Sequence, residues 1–154
     1  MKYKLTGESI MHKGMTLFRI EATKDFANVK AGELGGYVET CANLAQDGDA
    51  WIAEQAKVYG NARVHDNAEV SGNAEVFDNA DIADDAKVFN DAKVYNHAKV
   101  YGQARVQDQV KVFNEGRVCG AAHVRGEVKV FGCAKVAGLA KLAGCRSIVS
   151  GEIG

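Results

Sequence analysis

Four histidines are the side chains best suited to proton transfer or metal binding near neutral pH: His12, His65, His97 and His123. A general base must lie within hydrogen-bonding distance of the proton that it removes, and a carboxylate commonly orients it. His65 and His97 are the only catalytic candidates, and the sequence indicates no orienting carboxylate for either. We therefore favour their interpretation as solvated side chains.

The same histidines do not predict a metal centre. Zinc ligands must converge on one point, whereas His65, His97 and His123 are separated by 32 and 26 residues. Six aspartates could bind calcium or act as paired acids: Asp66, Asp78, Asp84, Asp85, Asp91 and Asp108. Their spacing is not that of a calcium loop, and aspartate is an ordinary turn residue. We predict neither a metal nor another cofactor.

A six-residue repeat determines where these side chains lie. A branched aliphatic residue recurs every sixth residue from Ile52 to Ile148, which makes 17 units, and alanine occupies 13 of the positions two residues earlier. In each Ala-x-Val unit, Ala and Val point to one side of an extended strand and the residue between them points to the other. The next two positions are rich in Gly, Asn and Asp, which tolerate positive φ. Each unit therefore predicts a short strand followed by a corner.

Three units close a three-sided coil of 18 residues, so 17 units predict between five and six stacked coils. The stack is expected to be about 27 Å long at a strand spacing of ~4.8 Å. A period of six drifts against a helix of 3.6 residues per turn, and the chain contains no proline. We predict an all-β fold, a single-stranded triangular β-solenoid over residues 49–149.

The residues before and after the repeat differ from it. Tyr3-Lys4-Leu5 and the segment from Thr16 to Ala22 alternate like strands, with Gly14 at a turn between them. Terminal coils of solenoids are normally capped. Residues 1–48 are therefore predicted to form a small β-rich cap, and residues 150–154 a C-terminal tail.

The repeat unit, read as aliphatic, variable, two turn formers, small and variable, resembles the hexapeptide-repeat family over about two-thirds of the chain. The resemblance implies a left-handed β-helix that is usually trimeric. The handedness comes from the resemblance alone, because the spacing also allows a right-handed solenoid. The run Gly-Glu-Leu-Gly-Gly-Tyr-Val-Glu at residues 32–39, leading into Trp51-Ile52, also resembles hexapeptide-repeat proteins of phages and prophages.

Many members of the hexapeptide-repeat family are acyltransferases. In them a histidine acts as general base near a subunit interface, often beside an extruded loop, and a C-terminal helix follows. The present sequence has no extruded loop between residues 50 and 148 and no helical tail pattern. Acyl transfer, with His65 or His97 as the base, is therefore the alternative function and not the favoured one.

Five outward positions on one face are aromatic. They follow the aliphatic residue of their unit and are spaced by 18: Tyr59, Phe77, Tyr95, Phe113 and Phe131. The other two faces carry one aromatic residue each at this position. Such a column exposes more apolar surface than monomers usually tolerate, so we expect another copy of the chain, a partner protein or the cap to cover it.

Lysines lie beside this column, and we call Lys93, Lys111 and Lys129 the basic flank. Aromatic rows with lysines also suit single-stranded nucleic acid, which we regard as the less favoured partner. Residues 1–85 carry 8 Lys or Arg against 15 Asp or Glu, and residues 86–154 carry 11 against 5. The N-terminal end is therefore predicted to be acidic and the C-terminal end basic.

The four cysteines, Cys41, Cys119, Cys133 and Cys145, predict free thiols. Cys133 and Cys145 occupy the same repeat position two units apart, so they lie at different corners, whereas disulfide partners need Cα atoms within roughly 7 Å. The first residues lack the apolar core of a secretory signal, and no apolar run approaches the ~20 residues that span a bilayer. We predict a cytoplasmic protein with no membrane partner.

These observations predict a non-enzymatic oligomeric binding protein, with a trimer favoured over a dimer. The phage resemblance implies an accessory protein that blocks a host defence component or sequesters a nucleotide signal. A self-assembling scaffold, driven by the opposite charges of the two ends, is the second alternative after the acyltransferase.

Overall fold

Twenty-one strands and one 3₁₀ turn follow one another in a computed structural model that describes residues 1–154. Three longer strands come first, β1 (Tyr3–His12), β2 (Met15–Ala22) and β3 (Leu34–Val38), and the 3₁₀ turn Cys41–Asn43 follows them. The next seventeen strands have two residues each and begin every sixth residue: β4 (Trp51–Ile52), β5 (Lys57–Val58), β6 (Arg63–Val64), β7 (Glu69–Val70), β8 (Glu75–Val76), β9 (Asp81–Ile82), β10 (Lys87–Val88), β11 (Lys93–Val94), β12 (Lys99–Val100), β13 (Arg105–Val106), β14 (Lys111–Val112), β15 (Arg117–Val118), β16 (His123–Val124), β17 (Lys129–Val130), β18 (Lys135–Val136), β19 (Lys141–Leu142) and β20 (Ser147–Ile148). The last strand is β21 (Glu152–Ile153).

The strands form three sheets, and each sheet contains one face of a stack of coils. The sheet of the aromatic face is extended beyond β3 by the antiparallel strands β2 and β1. The aromatic face contains β3, β5, β8, β11, β14, β17 and β20; the second face contains β6, β9, β12, β15, β18 and β21; the third face contains β4, β7, β10, β13, β16 and β19. Strands within a face pair in parallel. From β4 to β20 each residue lies opposite the one 18 positions later, as Val58 is opposite Val76, whereas the offset is 20 between β3 and β5 and 17 between β18 and β21. The predicted all-β solenoid of 18-residue coils is confirmed, and its left-handed sense stays a prediction. No helix in the structure has the length and apolar character needed to span a bilayer.

The core is built from the two inward side chains of each unit. All fifteen aliphatic residues from Ile52 to Val136 are fully buried, and Ala56, Ala74 and Ala92 show the same at the second inward position. Burying a valine stabilises the fold by roughly 1.5–3 kcal/mol. The alternation within two-residue strands is therefore enough to hold the coil, because the same contact repeats at every level.

Each corner contains one residue with a positive φ. From Glu54 to Gly144, the second residue after every aliphatic has φ between 55° and 80°. Aspartates at this position accept hydrogen bonds from the backbone N–H one coil later: Asp84 Oδ2 lies 2.9 Å from Gly102 N, and Asp108 Oδ2 lies 3.0 Å from Gly126 N. These carboxylates are turn residues. No group of three or more His, Cys, Asp or Glu side chains is placed to hold a metal ion.

Coil-like pairing begins before residue 49. Val38 pairs in parallel with Val58, and Leu44 forms a parallel bridge with Val64. Val38 and Leu44 are both fully buried, so they occupy the core positions of a first coil. Eight residues instead of six separate Leu44 from Ile52. This longer spacing hides the first coil from a search for a six-residue period.

The C-terminal residues also pair with the stack. Glu152–Ile153 lies parallel to Lys135–Val136, five residues after β20 begins. Strand pairing alone does not divide a chain into domains, so the boundaries at residues 48 and 149 stay predictions.

Lys2 closes the N-terminal end of the core. The residue is 1% exposed, and its Nζ donates hydrogen bonds to the carbonyl oxygens of Gly48 (3.1 Å) and Ala50 (2.7 Å). The same ammonium lies 5.0 Å from the centroid of the Phe26 ring. Burial lowers the pKa of Lys2 to about 8, and the attraction of Asp49 opposes this shift only in part.

The lowered pKa of Lys2 predicts a stability that rises with pH. Between pH 8 and the ordinary pKa of 10.5 the unfolded chain holds a proton that the folded chain releases, so folding becomes more favourable as the pH increases across this window. Wild type should gain up to about 3 kcal/mol relative to Lys2→Met between pH 8 and 10.5, measured by urea unfolding. If the free energies of unfolding of the two proteins changed with pH in the same way, a lowered pKa of Lys2 would be contradicted.

Candidate interaction surface

The five aromatic residues singled out in the sequence form one column of parallel rings on the aromatic face. Successive centroids from Tyr59 to Phe131 are 5.1, 4.9, 5.1 and 4.8 Å apart, with angles between ring planes of 0–3°. Each ring follows a buried valine, so the ring spacing is set by the spacing of the coils. We call this column the aromatic ladder.

The ladder leaves no room for a flat molecule between its rings. Adjacent coils are joined by backbone hydrogen bonds beside the rings, such as the 3.0 Å bond from Tyr95 N to Val112 O. A base inserted between two rings would have to break these bonds. The ladder therefore offers ring edges and the outer rim of the stack to a partner, a geometry that suits side chains better than stacked bases.

The β1–β2 hairpin contacts the first two rings and buries the first of them, while Phe77 stays partly exposed. Tyr59 is 3% exposed, and the His12 ring meets it edge-on with centroids 5.3 Å apart. The Lys13 ammonium lies 5.0 Å from the centroid of the Phe77 ring. Leu17 and Tyr37 pack against Tyr59 in a small apolar cluster. Burial raises the pKa of the Tyr59 phenol.

Glu75 anchors the hairpin tip to the aromatic face. Its Oε1 lies 3.0 Å from His12 Nε2, and its Oε2 lies 4.0 Å from Lys13 Nζ and 3.8 Å from Lys93 Nζ. Glu75 is 8% exposed, so the surrounding cations compensate a largely buried carboxylate. Burial lowers the pKa of His12 by more than the Glu75 carboxylate raises it.

Three rings extend beyond the hairpin and are partly exposed: Tyr95, Phe113 and Phe131. We call these three residues the open ladder. Val149 continues the column and is 50% exposed. The basic flank runs beside them, with Lys93 opposite Lys111 and Lys111 opposite Lys129. Only Lys93 among the three forms an ion pair.

The expectation that no carboxylate orients His65 is wrong. Its Nε2 lies 2.5 Å from Asp81 Oδ1, and its Nδ1 lies 3.1 Å from Asp66 Oδ2. Asp81 is 16 residues later and occupies the neighbouring outward column of the next coil, which brings it beside the imidazole. Because both ring nitrogens bind carboxylates, neither is free to accept a proton from a substrate.

The other histidines lie in separate places. His97 is exposed at a corner beside the aromatic face, and its side chain forms no hydrogen bond. His123 lies on the third face, where its Nε2 meets Gln107 Oε1. The structure does not bring His65, His97 and His123 together.

All four cysteines are free, with Cys119 buried and the other three exposed. Cys133 lies at the corner that follows the aromatic face, where its thiol approaches Glu115 Oε2 at 3.7 Å. Cys145 lies at the corner that follows the third face.

The fold and its outward columns define the chain as a three-sided parallel β-solenoid of six-residue units with a folded N-terminal hairpin. No protein-family model matches the chain, and no curated protein sequence matches it.

Ring stacking is expected to stabilise the ladder measurably. Phe113→Ala removes two stacked pairs, each contributing roughly 0.5–1.5 kcal/mol beyond area burial. Phe89→Ala is the matched control, because Phe89 has the same repeat position on the third face with Ser71 and Gln107 as its column neighbours. Phe113→Ala should lower the free energy of unfolding by about 1–3 kcal/mol more than Phe89→Ala in urea titrations of dilute protein. Equal losses of unfolding free energy in the two variants would show that ring stacking does not contribute to stability.

The anchor at Glu75 is expected to control the hairpin. Glu75→Gln removes the charge that pairs with His12, Lys13 and Lys93, so amide hydrogen exchange in residues 9–16 should accelerate while exchange in the coils stays unchanged. Glu69→Gln is the control, since Glu69 has the same repeat position on the third face and is exposed. An unchanged hairpin in Glu75→Gln, or a similar change in Glu69→Gln, counts against the anchor.

Proposed function

We propose that this protein is a non-enzymatic oligomeric binding protein that assembles with copies of itself through the open ladder. The observation that supports the proposal is one continuous aromatic ladder whose first ring, Tyr59, is buried by the chain's own hairpin, while the rings beyond the hairpin remain partly exposed. The covered part indicates what chemistry fits the open part.

The hairpin covers the ladder with apolar side chains and a cation. Leu17 packs with Tyr59, and Lys13 lies against Phe77. A second copy of the aromatic face carries both kinds of group, because the basic flank runs beside the open ladder on the same strands. A cation against an aromatic ring contributes about 0.5–2 kcal/mol, depending on desolvation.

Symmetry favours copies with parallel axes. A two-fold axis parallel to the stack keeps the coils of the two copies at equal height. It also places the lysine column of each copy opposite the ring column of the other. A three-fold axis also keeps the coils at equal height, which is consistent with the trimer implied by the hexapeptide-repeat resemblance. Copies with antiparallel axes would place lysines opposite lysines.

The alternative of acyl transfer is less well supported. His65 has both nitrogens bound to carboxylates, and His97 has no orienting group, whereas a general base needs one nitrogen free and one oriented. The left-handed sense, the phage relation, the host partner and the nucleotide ligand stay predictions from the resemblance.

Solution mass tests the proposal. Wild type should be a dimer or trimer by light scattering, and Phe113→Glu should be a monomer, because a carboxylate at the centre of the contact would lose its hydration. Phe89→Glu introduces the same charge at the same repeat position of another face and should keep the wild-type mass. Circular dichroism and thermal unfolding establish that each variant is folded.

Two results would overturn self-assembly. A wild type that is monomeric at high concentration leaves the open ladder to a foreign protein. Equal dissociation by Phe113→Glu and Phe89→Glu shows that the added charge acts without regard to the face.

A further inference from the structure

Seven lysines and arginines lie on the second and third faces in the C-terminal half of the stack, and three of them, Lys87, Arg105 and Lys141, border the corner between these faces. The seven are Lys87, Lys99, Arg105, Arg117, Arg125, Lys135 and Lys141. The strands of these two faces and the corner between them carry no Asp or Glu from residue 86 to β21. None of the seven takes part in an ion pair. We call this region the basic corner; it lies opposite the aromatic face across the triangular section.

The cations of the basic corner lie directly opposite one another. Lys99 pairs with Arg117 and Arg117 with Lys135 along the second face. The third face shows the same, with Lys87 opposite Arg105. Like charges on neighbouring strands destabilise a sheet. Nearer the N-terminus acidic residues separate the cations, because Asp81 lies opposite both Arg63 and Lys99, and Glu69 lies opposite Lys87.

A groove of about 450 Å³ follows the third-face side of this corner. Its lining includes Lys87, Arg105, His123, Lys141, Gln103 and Ala121, with Asp85 as the one acidic residue among the groove's eight. The pKa of His123 is lowered by burial and then by the charges of Arg105, Arg125 and Lys141. The positive potential of the groove is therefore felt by a side chain within it.

The backbone of the same corner changes at this point. In the earlier coils an aspartate carboxylate accepts a hydrogen bond from the turn N–H of the next coil. Asp66 accepts one from Asp84 N (3.3 Å), and Asp84 accepts one from Gly102 N (2.9 Å). The next two residues in the column of Asp66 and Asp84 are Gly102 and Gly120, and neither has a side-chain carboxylate. The N–H groups of Gly120 and Gly138 accordingly have no acceptor within the chain.

We propose that the basic corner binds a linear di- or triphosphate group. Phosphate oxygens would accept hydrogen bonds from the N–H groups of Gly120 and Gly138. The aspartate carboxylates accept the same kind of bond from the turn N–H groups of the preceding coils. The two N–H groups are one coil apart, about 4.8 Å, a spacing that one linear phosphate chain bridges. Arg105 in the groove and Arg117 on the adjoining second face supply the planar donors that suit phosphate. The glycine N–H groups and the groove lie at the corner opposite the aromatic face, so this site does not require the open ladder.

Binding of tripolyphosphate to the full chain, measured by isothermal titration calorimetry at fixed ionic strength, tests the proposal. Arg117→Gln should weaken binding by at least about tenfold, because charge-assisted hydrogen bonds to phosphate are lost. Arg63→Gln is the matched control, since Arg63 has the same position on the same face beside Asp81, and it should change the affinity by no more than about twofold.

A second pair of variants tests the N–H groups. Gly102→Asp offers an internal carboxylate to Gly120 N–H, in the way that Asp84 serves Gly102, and should compete with phosphate. Gly60→Asp adds the same charge at a residue of similar φ, 67° against 69°, at another corner, and should leave binding unchanged. The Arg117 comparison remains decisive if either glycine variant fails to fold.

The source of the phosphate chain is separated by comparing tripolyphosphate with ATP. Equal affinities support a site that reads phosphate alone, and tighter ATP binding that is still lost in Arg117→Gln supports a nucleotide triphosphate. Absence of tripolyphosphate binding overturns the proposal, as does equal weakening in Arg117→Gln and Arg63→Gln. Tighter binding of a single-stranded DNA oligonucleotide than of either compound also overturns it, in favour of a nucleic acid.

Discussion

The constraint on which the whole structure depends is the 18-residue register of the backbone hydrogen bonds between coils. It places each side chain directly above the one 18 residues earlier, about 4.8 Å away, so that every repeat position becomes a column along the stack. Inward columns of valine and alanine form the core. Because successive residues of a strand point to opposite sides, a slip of one residue would turn the core outward, and the register is strongly specified.

The same constraint forces the outward residues to form surfaces of one kind. A column of rings gains stacking contacts at every level, whereas a column of lysines or arginines accumulates repulsion. The first coils relieve this repulsion with acidic neighbours such as Asp81 and Glu75. In the C-terminal coils the cations remain without ion pairs. The groove at the corner between the second and third faces lies opposite the aromatic face, so two ligands could be bound without competing for space.

The repeat could be predicted because it is local and periodic. The six-residue period determined the seventeen short strands, the buried aliphatic residues, the positive-φ corners and the five rings of the ladder. The first coil was missed because the spacing from Leu44 to Ile52 breaks the period. The cap was one of the three expected covers of the column, but the contact that anchors it was not predicted, because His12 and Glu75 are 63 residues apart and no local pattern joins them.

The carboxylates around His65 could have been found from the repeat itself. The residue that directly follows the aliphatic residue of a unit lies beside the residue 16 positions later. That second residue directly precedes the aliphatic residue on the same face of the next coil. His65 with Asp81 and Gln107 with His123 both show this relation. Side chains that lean toward the next coil therefore form contacts that the 18-residue columns alone do not indicate.

The most direct measurement of the central claim is hydroxyl-radical footprinting as a function of protein concentration. If the open ladder is the contact between copies, oxidation of Phe113 and Phe131 should slow as the protein associates, while oxidation of Phe89 on the third face stays constant. Unchanged oxidation of Phe113 and Phe131 at concentrations where the mass shows association would contradict the account, because the copies would then meet through another surface.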